Sequence, residues 1–380
     1  MFVSLVLPAI LLLLPLVAGG GATLSNVALP LDQHGDPIIT GEASVLRVNG
    51  TYYFYFNNWG PCPGIDCCAT SGGCASCCFD TFPNYTKTCS NLHNGSDPYG
   101  LYHTVQAYST TDFVHWHNLG VALPLASRSP GIEFRPSVVH NAHTGRFVMW
   151  YEDRTAGTGK GKGYSVATSA TPSGPFVTID HSVEMPGRGR IGDFNLFVDN
   201  DGVAYHVRTG FSLTRLNAEY TGPMALVSEF QLGGEGPTMF KRQGYYYITT
   251  GSVCCACVGG SSILVHSSNN VTGPWVTQGD VGSNPKHDPN DVHDPNKYVT
   301  KSQGSAVFDV GAHQWVYLGN QWNSGLKERP PGPRNHDLLY WGVMEFQSVS
   351  TVGAGESAAP VVQQFVWRDT VEIDVPLHGG

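Results

Sequence analysis

Three acidic residues stand at matching places in the chain. Glu42 lies ten residues before Tyr52, Glu235 ten before Tyr245, and Asp193 twelve before Tyr205. A short apolar run, a turn signal and an aromatic strand follow each of them: ASVLRVNGTYYFYF, FNLFVDNDGVAYHV and GPTMFKRQGYYYIT. Carboxyl groups that come from separate segments and meet at one place can divide the work of an acid and a base. Burial and a neighbouring negative charge both disfavour ionising a second carboxyl, so one of the set can stay protonated near neutral pH. Glu235 also stands between glycines, in GGEGP, where the backbone can turn sharply or approach another segment closely. The competing reading makes Glu235 and Asp193 turn residues and Glu42 a surface acid.

The elements that would hold such acids are legible as a repeat. The segments 50-GTYYFYF-56, 145-GRFVMWYE-152, 202-GVAYHVR-208, 244-GYYYITT-250 and 313-HQWVYLG-319 each pass from a turn into an aromatic strand. A second pattern follows several of them: 104-TVQAYSTTDFVHWHNLG-120, 164-YSVATSATPSGPFVTI-179 and 263-ILVHSSNNVTGPWVTQG-279. Its order is strand, small hydroxyl pair, turn, aromatic, strand. Hairpin repeats on this scale predict an all-β fold built as the blades of a β-propeller; a β-sandwich is the rival. In a propeller the first strand of each blade lies near the axis, so acids at the starts of first strands can converge there.

The 380 residues are rich in Gly and Pro (46 and 25) and only 13% are charged, which suits an all-β chain. A net charge of −9 argues against a nucleic-acid partner. The opening MFVSLVLPAILLLLPLVAGGGA reads as a secretory signal peptide over 1–22, cleaved between Ala18 and Ala22, although no Lys or Arg precedes Arg47. As a membrane anchor the run is short of the usual span of about 20 residues, and it contains Pro8 and Pro15. No stable membrane insertion is expected. Residues 23–380 then form a single domain.

Two further features fit a secreted glycoprotein. Four N-x-S/T sequons occur, at Asn49, Asn84, Asn94 and Asn270. Ten cysteines fall in two clusters, Cys62, Cys67, Cys68, Cys74, Cys77, Cys78 and Cys89, then Cys254, Cys255 and Cys257. Zinc is the rival reading for Cys74-Ala-Ser-Cys77, but adjacent pairs with no second C-x-x-C favour disulfides. The odd number in each cluster suggests a bridge between them. The segment 61–99 reads as a Cys-rich insertion in the first blade.

At this point the chain resembles glycoside hydrolase family 43. The resemblance is carried by 235-EGPTMFKRQGYYYI-248, 193-DFNLFVDNDGVAYHV-207, 174-GPF-176, 273-GPW-275, 107-AYSTTDFVHW-116 and 302-SQGSAVF-308. The segment 135-RPSVVHNAHTGRFVMWYED-153 and the Ser-Gln pair look most like the branch containing exo-β-1,3-galactanases. The resemblance implies a five-bladed propeller that hydrolyses polysaccharide with inversion, without a cofactor. It implies that Glu235 is the general acid and that Asp193 orients it and raises its pKa. The family's base is usually an aspartate in an Asp-Pro pair. Asp36-Pro37 lies sixteen residues before Tyr52, so we place Glu42 at the base position and read Asp36 as a turn residue. In the galactanase-like branch a late glutamine has been proposed to replace the base, and Gln303 matches it. Both remain candidates, with the carboxylate the better proton acceptor. Inversion requires the acid and base to stand about 6.5–9.5 Å apart, with a water between.

The same branch carries Glu-Arg-Pro, whose glutamate binds sugar hydroxyls. Here the order is Glu133-Phe134-Arg135-Pro136, displaced by one residue, and one step along a strand turns a side chain to the other face. Glu133 reaches the pocket through a bulge, or Arg135 faces the sugar instead. Trp59, Phe194, Trp322 and Trp341 are candidate sugar platforms, Trp322 foremost. Asp199, Asn200 and Asp201 before Gly202 read as a hairpin turn rather than a metal site. The repeat in 287-HDPNDVHDPN-296 reads as turns, with structural calcium as the rival. The expected activity is release of sugar from β-1,3-galactan-type chains. The alternatives are a β-xylosidase or α-L-arabinofuranosidase, or a propeller that binds carbohydrate without cleaving it.

Overall fold

The computed structural model describes residues 20–58, 104–128, 132–154, 161–188, 191–230, 233–252, 260–287, 296–311, 314–322, 324, 337–348 and 359–376. All ten cysteines, Trp59, Asn84, Asn94, residues 1–19 of the expected signal segment and residues 288–295 lie outside them, as does the side chain of Glu133.

Strand β1 (Gly20–Ser25) is the first element of the described residues. Blade 1 is β2 (Ala43–Val48), β3 (Thr51–Asn58), β4 (Thr104–Thr110) and β5 (His117–Leu123). Blade 2 is β6 (Ile132–Asn141), β7 (Arg146–Arg154), β8 (Gly161–Ser169) and β9 (Val177–Val183). Blade 3 is β10 (Phe194–Val198), β11 (Ala204–Arg208), β12 (Ser212–Leu216) and β13 (Pro223–Glu229). Blade 4 is β14 (Glu235–Arg242), β15 (Tyr245–Gly251), β16 (Leu264–Ser268) and β17 (Val276–Asp280). Among the described residues, blade 5 has three strands, β18 (Gln303–Gly311), β19 (Gln314–Gln321) and β20 (Leu338–Met344). A short pair, β21 (Phe346–Gln347) and β22 (Val361–Val362), precedes β23 (Thr370–Val375). Every blade is an antiparallel meander, and β2, β6, β10, β14 and β18 pack in a closed ring about the axis.

This is the all-β propeller that the repeats predict, with the five blades that the family resemblance implies. The five aromatic segments are the second strands, and the hydroxyl-rich segments run through the third and fourth strands. The Cys-rich segment falls between β3 and β4 of blade 1.

The aromatic runs are continuous because a blade is buried on both faces. Along β3, Tyr52, Phe54 and Phe56 pack towards blade 5 with Phe308, Val316, Leu318 and Trp341. Their neighbour Tyr55 faces the other way, with Val138, Met149 and Tyr151 of blade 2. Alternation along one strand thus supplies two separate cores, and truncating one such ring to Ala costs about 3–5 kcal/mol.

Small polar side chains link adjacent inner strands. Ser44 Oγ accepts the Val138 N–H at 3.0 Å, Ser137 Oγ the Leu196 N–H at 3.1 Å, and Asn195 Oδ1 the Met239 N–H at 3.0 Å. Each joins one blade to the next and fixes their relative height. The ring is closed by β1, which pairs with β23 from Gly20↔Val375 to Ser25↔Thr370, and this ribbon packs on blade 5. The expected domain boundary at residue 22 therefore falls inside a paired strand.

Candidate active site

The inner strands are bulged where they reach one end of the axis. Pairing skips between Phe134 and Ser137 in β6, between Glu235 and Thr238 in β14, and between Gly304 and Ala306 in β18. A bulge bends a strand and re-aims its side chains. Here it turns Arg135 and Gly236 into the left-handed region, at φ 49° and 61°.

Arg135 is the hub. Its guanidinium is buried and forms ion pairs with Glu42 Oε2 at 3.0 Å through Nη2 and with Asp193 Oδ1 at 2.7 Å through Nε. Nη1 donates to the carbonyl of Gly304 at 3.2 Å. Asp193 uses its second oxygen to accept the N–H of Gly236 at 2.9 Å. One arginine from blade 2 therefore reaches blades 1 and 5 directly and the segment leading into blade 3, which in turn holds blade 4. A buried charge is tolerated only when paired in this way.

The segment carrying Glu42 is held from both sides. Tyr108 Oη accepts the Ile39 N–H at 2.9 Å, and Thr40 Oγ1 donates to the Asp337 carbonyl at 2.5 Å. Asp36 lies in a turn, its N–H given to Asp32 Oδ1 at 3.1 Å.

Glu235 is the first residue of β14 and is half-buried, the most open member of the group. Its Oε1 accepts from Gln303 Nε2 at 3.3 Å. Gln303 is buried, and its Oε1 accepts the indole N–H of Trp322 at 3.1 Å. The glycines around Glu235 have a steric cause. A Cβ on Gly234, at φ 102°, would run into the Gly251 carbonyl. A Cβ on Gly236 would stand 3.3 Å from the Gly304 carbonyl oxygen and 3.4 Å from Arg135 Nη2.

The structure thus brings together Glu42, Arg135, Asp193, Glu235, Gln303 and Trp322. Arg135 spans two acids here rather than standing open. Trp322 has 1% of its surface exposed and meets Gln303 through its N–H. The backbone of Glu133 pairs with Asp153. Phe194 and Trp341 are not platforms. Phe194 is buried and stacks on His206 at 4.7 Å, and Trp341 is buried against Phe54 in the core between blades 5 and 1. Asp199 to Gly202 form the hairpin turn, with the Gly202 N–H on the Asp199 carbonyl at 2.9 Å. The Asp199 carboxylate meets Lys241 Nζ at 2.6 Å and Tyr246 Oη at 2.5 Å.

Sequence reasoning passed over Glu152 and Asp153, two fully buried acids near the end of β7, opposite Phe134 and Glu133. Their signal was present: a Glu-Asp pair has no place in a strand buried on both faces unless it is matched by charge. Behind Phe194, burial and the Arg208 charge push His206 down to about 3, so it stays neutral.

The family model described as glycosyl hydrolases family 43 matches residues 83–331. No curated protein matches the chain. Among solved structures, it is similar to an exo-β-1,3-galactanase from Clostridium thermocellum, with 23% identity and a TM-score of 0.66 over 93% of this chain and 67% of that one. An exo-β-1,3-galactanase from Phanerochaete chrysosporium, solved with galactose, matches with 20% identity and a TM-score of 0.65 over 93% and 69%. An α-L-arabinofuranosidase from Clostridium thermocellum matches with 20% identity and a TM-score of 0.53 over 86% and 93%.

Proposed function

Since the chain belongs to glycosyl hydrolases family 43, we propose that it is a secreted, exo-acting enzyme that removes galactose from β-1,3-galactan-type chains with inversion. The observation that carries this reading is the set of acids around Arg135, with the half-buried Glu235 at its open side.

Glu235 is the general acid and protonates the departing glycosidic oxygen. Asp193 orients it: its bond to the Gly236 N–H fixes the peptide that follows Glu235. Glu42 is the base that takes a proton from the attacking water. A glutamate has its ordinary pKa near 4.3 and accepts a proton more readily than an amide does. Gln303, the other candidate, has its amide oxygen engaged by Trp322, which favours Glu42. The electron pair of the water oxygen forms the new bond to the anomeric carbon as the old C–O bond breaks. Galactose as the product is supported by the galactanase structures, one of which was solved with β-1,3-galactotriose. Secretion is supported by the apolar N-terminal run, the sequons and the even count of clustered cysteines.

The test is release of monosaccharide from β-1,3-galactan, xylan and arabinan, with Glu235→Gln alongside. Galactose released by the wild type and not by the variant supports the reading. Arabinose release would move it to the α-L-arabinofuranosidase reading that one structural match favours, and xylose release to a β-xylosidase. Sugar binding by both proteins without cleavage would make the propeller a binding module.

A further inference from the structure

Resting on the assignment of Glu235 as the acid, we propose that Trp322 is a positioning residue that locks the Gln303 amide with its nitrogen towards Glu235. Gln303 is then a hydrogen-bond donor to the acid and does not receive the proton of the attacking water.

An amide side chain has two orientations, and its neighbours choose between them. An indole N–H is a donor only. Trp322 Nε1 stands 3.1 Å from the Gln303 amide, so the atom facing it must be oxygen. The reverse orientation would set an NH₂ group against an N–H. With the oxygen held there, Nε2 is left facing Glu235 Oε1, at 3.3 Å.

The fold leaves this pair little freedom. Gln303 pairs with Asn320 across β18 and β19, and Trp322 lies two residues beyond that partner. Gln303 and Trp322 are each 1% exposed, so water cannot readily replace the contact between them. The Gln303 Cγ lies 3.6 Å from the place a Gly236 Cβ would fill, which boxes the amide from the β14 side.

The consequence has a sign. A donor at Glu235 Oε1 stabilises the carboxylate over the acid. If the amide turned over, its oxygen would face Glu235 and favour the protonated form. Among the described residues, the titratable groups around the site include Glu42 before β2, Arg135 from β6, Glu152 and Asp153 from β7, Asp193 before β10, Asp280 from β17 and Tyr317 from β19. The substitutions below leave all of them in place.

The experiment follows the carboxyl carbon of Glu235 by NMR across pH, in protein labelled with ¹³C at glutamate and assigned with Glu235→Gln. This readout needs no turnover, so inactivity towards every sugar would count against the proposed function and not against this inference. Trp322→Phe, which keeps a ring and removes the N–H, is expected to raise the titration midpoint by about one pH unit, the worth of a hydrogen bond to a charged group. Gln303→Leu is expected to raise it too, and adding Trp322→Phe to Gln303→Leu to raise it no further. Should the Phe variant not fold, the benzothienyl analogue of tryptophan at position 322 removes the N–H at nearly constant shape. An unmoved midpoint, or the same shift with and without Gln303, would overturn the proposal.

Discussion

Arg135 Nε lies 2.7 Å from Asp193 Oδ1, and the same guanidinium lies 3.0 Å from Glu42 Oε2. One cation thus sets the spacing of two acids that stand 151 residues apart in the chain (193 − 42). Arg135→Met would leave both carboxylates buried without it. Removing one partner of a buried pair costs about 3–5 kcal/mol. We expect a loss of at least that order in urea unfolding. The double variant with Glu42→Gln should recover part of it, because one of the stranded charges is gone.

Glu235→Gln keeps an oxygen where Gln303 Nε2 donates and removes the transferable proton. General acid catalysis contributes typically about 10²–10⁴-fold. The variant should therefore fold normally and lose about that factor in kcat on polysaccharide. The loss should shrink on aryl glycosides whose leaving groups need no proton. Equal losses on both substrates would argue against the acid role.

Gly236→Ala and Gly35→Ala form a matched pair. Both glycines have positive φ, 61° and 82°. Nothing lies within 4 Å of a Cβ on Gly35, whereas Gly236 has the Gly304 oxygen and Arg135 Nη2 at 3.3 and 3.4 Å. Left-handed backbone alone costs an L-residue about 1–2 kcal/mol. Gly35→Ala should cost about that and spare activity. Gly236→Ala should cost more and also lower kcat, because the displaced peptide carries the Asp193 contact. Thermal melts and initial rates on the two proteins separate these effects.

His206 makes the fold sensitive to acid. Burial first, then the Arg208 charge, depress it from 6.5 to about 3. Above the unfolded value both states are neutral and the group has no pH effect. As pH falls below about 6.5 the unfolded chain binds a proton that the native state refuses, so stability declines until pH approaches 3. One such group gives a slope of about 1.4 kcal/mol per pH unit. His206→Phe, in a site already stacked on Phe194, should flatten the decline by about that slope. Urea midpoints measured from pH 7 to 4 check it.

Asn26 is buried and joins three parts of the closure. Its Oδ1 accepts the Trp341 N–H at 2.6 Å, and its Nδ2 donates to the Trp341 and Arg368 carbonyls at 3.1 and 2.9 Å. Each buried backbone group left unsatisfied costs about 1–3 kcal/mol. Asn26→Ala should lower the melting temperature and raise amide exchange in β1, β20 and β23 before the inner strands.

What was legible in the chain was whatever is local. The run TYYFYF declares a strand buried on both faces, because alternation sends Phe54 and Tyr55 to different cores. The places of Glu42, Asp193 and Glu235 were legible because each stands ten or twelve residues before a tyrosine of its own blade's aromatic strand. The family resemblance assigned their roles. Residue type alone did not separate core from site: Phe194 and Trp341 have the flat rings a sugar would use, yet pack between blades. Nor did it show what Arg135 does. Among the described residues, its partners Glu42, Asp193 and Gly304 come from separate segments that only closure of the ring brings within reach. The orientation of the Gln303 amide was likewise decided by Trp322, because a donor-only ring admits one of two nearly equal rotamers. Periodicity and turn chemistry act over a few residues, so the sequence determined the blades. Contacts across the axis depend on how five blades close, so only the tertiary structure decided which charges face one another.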